Sequence, residues 1–192
     1  IADGLIQGLA STGVAVINIG MVPTPLVYFA ASNSEYTSGI SVTGSHNPPD
    51  YNGLKIVIDG QALSGDAITG LFDRIIEKRI IQTSAHGIVS QRDIVPDYTR
   101  YIADDIQIDR PLKIVVDCGN GVPGAVAPEV LRAIGADVEE IYCDVDGNFP
   151  NHHPDPSDPD NLIDLIELVR RTGADVGLAF DGDGDRLGVV TS

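Results

Sequence analysis

The chain has 192 residues, 43% of them hydrophobic but only 5% aromatic, and its 28 acidic against 12 basic side chains give a formal charge of −16. That length can bury one good core or two small ones, built on Ile, Val, Leu and Ala because Trp is absent. So acidic a surface excludes nucleic acid and anionic membrane as partners, since both are held by clustered Lys and Arg. With no apolar run of membrane-spanning length and no signal peptide, the expected location is cytoplasmic.

Ile1, Leu5 and Leu9 recur at helical spacing until Gly13 stops the pattern. The chain opens inside this element and its one methionine is Met21, so it reads as a piece of a larger protein. VAVINIG (14–20) is β-branched and apolar, hence a strand, and VPTPL (22–26) is a turn leading into a second short helix. GISV (39–42) is a buried strand that delivers the chain into TGSHNPPDYNG (43–53), and LKIVI (54–58) is the strand that leaves it. Asp59-Gly60 turns that strand, and Ile68, Leu71, Phe72, Ile75 and Ile76 mark an amphipathic helix.

The polar, aperiodic segment 82–93 is the expected linker. Beyond it come a helix near 97–108, then KIVVDC (113–118), a helix near 124–134, DVEEIYC (137–143), a helix near 160–172 and VGLAF (176–180). Asp160 fits the N-cap of the last helix and Gly173 its C′ residue. Strands alternating with helices predict an α/β fold of two successive three-layer α/β/α units with mixed, mostly parallel sheets, residues 1–90 and 91–192. Cys118 and Cys143 each follow a β-rich run, which favours small buried thiols over a disulfide.

Three loops can carry chemistry. In TGSHNPPDYNG, Ser45 stands between glycine and His46 at a strand end, where a hydroxyl is accessible and backbone donors are close. Asn-Pro-Pro stiffens the loop, Asn52-Gly53 fits a tight turn, and Lys55 follows closely enough to return a positive charge. Taken alone, this is either a structural turn or a nucleophile or phosphate site. Asn47 replaces the second glycine of a Gly-x-Ser-x-Gly elbow, which excludes that motif.

In DGDGDR (181–186), Asp181, Asp183 and Asp185 alternate with glycines after an apolar strand. Three converging carboxylates repel unless a cation sits among them, and hard oxygen ligands suit Mg²⁺ or Ca²⁺. An EF-hand would need glycine and glutamate where Arg186 and Ser192 stand. A haloacid-dehalogenase-type phosphatase would follow its two aspartates with Thr or Val, whereas this loop runs on as Gly-Asp-Arg. In CGNGVPG (118–124), Gly119, Gly121 and Gly124 match Gly-x-Gly-x-x-Gly, with Asp144 about twenty residues on. That supports a rival reading, a nicotinamide-dependent oxidoreductase, although Pro123 removes an N–H where a pyrophosphate would want one. In GNFPNHHPDP (147–156), His152 and His153 could be ligands, but neighbouring histidines are expected to point apart, which favours a proline-stiffened loop lining the same cleft.

TGSHNPPDYNGLKIV (43–57), VVDCGNGV (115–122), DGNFPNHHPDP (146–156) and LAFDGDGDRLGVV (178–190) together resemble the α-D-phosphohexomutase superfamily, its bacterial phosphomannomutase/phosphoglucomutase group first. Glucosamine-phosphate mutases, which differ in the serine loop, rank second. The resemblance implies exchange between hexose 1-phosphate and hexose 6-phosphate, of mannose or glucose, through a phosphoserine and a hexose 1,6-bisphosphate. It makes Ser45 the phosphorylated serine, with Asp181, Asp183 and Asp185 holding Mg²⁺ together with a phosphoserine oxygen. Lys55 and Arg186 would stabilise the transferring phosphoryl group, and His46 would position it or move a proton. It also implies four domains around one cleft, of which this chain holds the latter part of the first and nearly all of the second. The missing C-terminal domains would then be its partners, and the piece by itself is expected to be inactive. A metal-binding fragment with no reaction of its own is the remaining alternative.

Overall fold

The computed structural model describes residues 1–33, 36–48, 50–81 and 83–191, so Pro49 of the Asn-Pro-Pro run, Gln82 of the expected linker and Ser192 lie outside the described residues. The chain begins with helix α1 (Ala2–Ser11), strand β1 (Val16–Asn18) and helix α2 (Thr24–Asn33). The hairpin β2 (Gly39–Thr43), β3 (Gly53–Ile58) and β4 (Gln61–Ala62) follows, then α3 (Asp66–Ile76). After β5 (Val89–Gln91) and α4 (Val95–Asp105), the pattern β6 (Lys113–Asp117), α5 (Ala127–Ala133), β7 (Asp137–Ile141), α6 (Ile163–Thr172), β8 (Val176–Phe180) and β9 (Leu187–Val190) closes the chain.

The α/β expectation holds, with parallel and mixed sheets. β7, β6 and β8 lie side by side and parallel, and β9 returns antiparallel at the edge. The near-continuous apolar runs of β6 and β8 are those of strands covered on both faces, whereas β7, Asp-Val-Glu-Glu-Ile, is more exposed. One core gathers Val115 of β6, Leu165, Leu168 and Val169 of α6, and Ala179 of β8, all buried. β2 and β3 pair antiparallel, with Ser41 opposite Lys55 and Thr43 opposite Gly53. Because side chains alternate across a strand and directly paired residues share a face, Ser41, Thr43 and Lys55 all project from the same side of this hairpin.

Five local expectations are corrected. Thr24 and Pro25 already belong to α2, since proline is tolerated in a first turn whose N–H has no helical partner. β5 lies inside the expected linker and pairs parallel with β1; three polar or exposed residues carry no periodic signal, and main-chain bonds alone define the strand. The serine loop closes at Gly44–Asn47 and Pro48–Tyr51, while Gly53 opens β3, so Asn52-Gly53 is not the tight turn. Asp158 rather than Asp160 caps the 3₁₀ turn that precedes α6, accepting the Asp160 amide at 3.0 Å. LGVV forms β9, a strand the sequence reading left without an element. Gly173 does take the left-handed conformation at the end of α6.

The apolar stripe on α3 is present but unburied, with Ile68, Phe72, Ile75 and Ile76 all exposed. A second buried cluster joins Leu26 and Ala30 of α2 to Ile94 and Val126, with Phe29 and Tyr98 packed against it. This cluster fastens the N-terminal elements to the C-terminal ones beside the two loops of interest. Among the described residues no helix is long and apolar enough to cross a membrane.

Candidate active site

Ser45 follows the carboxyl end of β2 in the antiparallel sheet, and Asp181 follows the carboxyl end of β8 in the mostly parallel one, where open α/β sheets offer their ligand crevices. The fold brings these two loops together although they are 136 residues apart in sequence. Ser45 Oγ lies 3.0 Å from Asp181 Oδ2 and 3.2 Å from Asp183 Oδ1, and it accepts from Arg186 Nη2 at 3.1 Å. Its single proton serves one carboxylate at a time, which leaves the oxygen an open lone pair. The approach is close enough that a Cβ on Gly182 would stand 2.4 Å from the Ser45 carbonyl oxygen.

Ser45 itself sits at φ +55°, in the left-handed region. For a side chain other than glycine that costs about 1–3 kcal/mol and persists only where the surroundings fix it. Thr43 does part of the fixing by accepting the Ser45 amide on its hydroxyl at 2.8 Å.

The acidic loop is folded around Asp181. Asp181 Oδ1 accepts the amides of Asp185 at 3.0 Å and Arg186 at 3.1 Å, which leaves Oδ2 for the site. Burial pushes the Asp181 carboxyl above the usual range, with Asp183 and Asp185 adding repulsion against the Arg186 and Ser45 hydrogen bonds. Burial acts the same way on Asp183, but hydrogen bonds from Lys55, Thr24 and Thr43 outweigh it and hold that carboxyl below the usual range. Lys55 Nζ lies 2.6 Å from Asp183 Oδ2 and from Asp185 Oδ2, and despite its burial these two partners raise its pKa.

Carboxylate oxygens of Asp181, Asp183 and Asp185 all lie within 4.8 Å of one another. An all-oxygen donor set of this spacing fits a hard divalent cation. The Lys55 ammonium against two of the three carboxylates shows that the cluster calls for positive charge.

Every residue singled out from the sequence for this site is therefore brought into it, with His46 at its rim. His46 Nδ1 is 2.8 Å from Asp155 Oδ2, and its ring lies 6.0 Å from that of His153. The Ser157 hydroxyl and amide, together with His46, hold the Asp155 carboxyl down at about 2. An ionised carboxylate only accepts, so Nδ1 carries the proton and donates to Asp155, and Nε2 is turned away from that pair. Sequence reasoning missed Thr24, Ser41, Thr43 and Asp155; the Ser-x-Thr alternation in β2 was the one available signal.

The two neighbouring histidines do point apart. His152 Nδ1 faces the His153 carbonyl at 2.9 Å, and Nε2 faces buried Asp117 at 3.0 Å. Both ring nitrogens meet acceptors, which favours imidazolium: the Asp117 hydrogen bond raises the pKa against the opposing effect of burial. A raised folded-state pKa gives stability that is complete below the unfolded value of about 6.5 and is lost as pH rises through the folded value. Urea unfolding is expected to show wild type exceeding His152→Gln by more at pH 6 than at pH 9. An unchanged gap would remove the charged pair from the account.

The Gly119–Gly124 loop does not form a dinucleotide cradle. Residues 122–125 make a 3₁₀ turn rather than the start of a long helix, and a Cβ on Gly121 would lie 2.8 Å from the Gly182 carbonyl oxygen. Its glycines admit the acidic loop on one side and the end of β7 on the other. A Cβ on Gly124 would lie 2.0 Å from the Cys143 carbonyl oxygen, backbone against Cβ with no flexible side chain to yield. Gly124→Ala is expected to cost at least about 1–3 kcal/mol in urea unfolding; a loss below about 0.5 kcal/mol would contradict this packing. Both cysteines are free thiols, Cys118 buried and Cys143 partly so.

Known proteins match along the whole chain. A family model described as phosphoglucomutase/phosphomannomutase, alpha/beta/alpha domain I, matches residues 1–81, and that for domain II matches residues 96–192. A phosphomannomutase/phosphoglucomutase of Pseudomonas aeruginosa is 56% identical over 188 residues, which is 98% of this chain and 40% of that protein. A phosphoglucomutase of Neisseria meningitidis is 49% identical over 96% of this chain and 40% of its own length. The solved structure of a phosphoglucomutase/phosphomannomutase family protein from Burkholderia thailandensis superposes with a TM-score of 0.93 at 50% identity, covering 99% of this chain and 43% of that one. The chain thus spans about 40% of the length of the curated relatives it matches.

Proposed function

The chain belongs to the phosphoglucomutase/phosphomannomutase family, and from that premise we propose that its two loops form the phosphoryl-transfer centre of a hexose-phosphate mutase acting between sugar 1- and 6-phosphates of mannose or glucose. The supporting observation is the convergence on Ser45 Oγ of Asp181, Asp183 and Arg186 from the far end of the chain. In this reading Ser45 is the phosphate carrier, and Asp181, Asp183 and Asp185 hold Mg²⁺ together with a phosphoserine oxygen. When bound, the ion supplies positive charge at the phosphoryl oxygens.

The remaining chemistry belongs to the side chains. A sugar hydroxyl attacks phosphorus in line; its O–P bond forms as the Ser45 Oγ–P bond breaks, and Oγ keeps the bonding pair. Arg186 Nη2, already 3.1 Å from Oγ, is placed to stabilise the charge that develops there. Lys55 adds positive charge on the side of Asp183 and Asp185. The hydroxyl proton leaves to His46 Nε2, the ring nitrogen turned away from Asp155. The hexose 1,6-bisphosphate so formed returns its other phosphate to Ser45, and the net result is exchange of position.

The division of labour between the units is part of the same proposal. Residues 1–90 carry the serine loop and residues 91–192 the metal loop, with β5 at the junction completing the β1 pair. The sugar-selecting surface is placed outside these 192 residues, given that the chain spans about 40% of its relatives, so little turnover is expected from it alone. In this reading the activity is cytoplasmic, alongside its charged phosphorylated-hexose substrates. Peptide mass spectrometry of the full-length enzyme that carries this chain tests the reading: one phosphate is expected on Ser45. Phosphate on a different residue, or on none after incubation with a hexose 1,6-bisphosphate, would overturn it.

A further inference from the structure

Asp183 is held from outside its own loop, and this was invisible in the sequence. Its Oδ2 accepts from Thr24 Oγ1 at 2.8 Å, Thr43 Oγ1 at 2.9 Å and Lys55 Nζ at 2.6 Å. Three donors saturate that oxygen and leave Oδ1, the one turned to Ser45, as the oxygen able to face a cation. Each hydroxyl has its direction imposed. Thr43 accepts the Ser45 amide, so its proton points to Asp183. Thr24 and Ser41 hydroxyls lie 3.0 Å apart; as the Thr24 proton goes to Asp183, Ser41 is the donor between them.

Thr24 is fully buried and holds Asp183 a second time, its amide donating to the Asp183 carbonyl at 2.9 Å. One carboxylate thus sits in a socket built by α2, β2 and β3, the two strands being those that flank the serine loop. Outer-shell hydrogen bonds of this kind orient a ligating carboxylate and commonly set about 10–100-fold of its metal affinity.

We propose that Thr24 and Thr43 are positioning residues for Asp183: their hydroxyls fix its carboxylate plane so that Oδ1 faces the cation and Ser45, coupling metal affinity to the placement of the phosphorylated serine. This rests on the reading of Asp183 as a cation ligand. Ser41 acts one step further back, by orienting the Thr24 hydroxyl.

The test is calorimetric Mg²⁺ titration of the protein, for wild type, Thr24→Val, Thr24→Ser, Thr43→Val and Asp183→Asn, with amide exchange in β8 as the check on folding. Valine keeps the shape and removes the hydroxyl; serine restores the donor. Thr24→Val and Thr43→Val are each expected to weaken Mg²⁺ about 10–100-fold, Thr24→Ser to bind as wild type does, and Thr24→Val to cost nothing further in an Asp183→Asn background. If Thr24→Val does not fold, Thr43→Val carries the same expectation. Asp183→Asn weakening Mg²⁺ while both valine variants bind normally would overturn the positioning role alone. Mg²⁺ affinity unchanged in Asp183→Asn would overturn the cation reading and this proposal with it.

Discussion

Ser45→Ala is expected to remove the phosphate from the protein and to lower mutase turnover, in the enzyme that carries this chain, by at least about a thousandfold. Among the described residues, the neighbouring hydroxyls are committed elsewhere. Thr43 is committed to Asp183 and to the Ser45 amide, and Thr24 is buried beneath the acidic loop. Folding should change little, because the Ser45 hydroxyl is half-buried and each of its hydrogen bonds contributes about 1 kcal/mol. The discriminating result is therefore lost phosphorylation in a protein whose urea midpoint is nearly that of wild type. Phosphate persisting in the alanine variant would end the carrier assignment.

Asp181→Asn should abolish Mg²⁺ binding, a larger effect than loss of any outer-shell partner. Its two oxygens have separate tasks: Oδ1 ties the loop by accepting two amides, while Oδ2 faces Ser45 and Arg186. Asparagine can keep the first task only by turning its one oxygen to the two amides, which puts an uncharged NH₂ donor where Oδ2 faced Ser45 and Arg186. Burial and two like charges disfavour ionised Asp181 when no cation is present. The variant without metal should therefore melt no lower than wild type. Saturating Mg²⁺, at about a hundred times its dissociation constant, is worth about 2.7 kcal/mol, or about 5–10 °C for a chain of this size. Differential scanning fluorimetry should show that rise in wild type and none in Asp181→Asn; an equal rise in both would refute the assignment.

The strands of the second unit were the most legible part of the fold. KIVVD and VGLAF are short, apolar and β-branched or bounded by turn residues, and a strand buried on both faces can look like little else. β5 could not be read because a strand at a sheet edge is defined by main-chain hydrogen bonds, to which Val89, Ser90 and Gln91 are indifferent. The α3 stripe was legible as a helix, yet periodicity says which face is apolar and not whether anything covers it.

The site divides along the same line. Ser45 and the three aspartates could be singled out as candidates because an accessible hydroxyl at a strand end and three carboxylates on a glycine-rich loop are patterns local in sequence. The roles of Thr24, Thr43 and Asp155 were hidden, since a hydroxyl on a strand or at a helix start is compatible with solvent and with a capping role alike. Which partner it finds is settled by packing. By itself the sequence determined two α/β units and picked out two candidate loops. Only the tertiary structure decided that the loops face each other, that Gly182 meets the Ser45 backbone, and that Oδ1 rather than Oδ2 of Asp183 is left open, because contacts between residues 136 to 159 positions apart follow from how the buried clusters dock and leave no periodic trace in the chain.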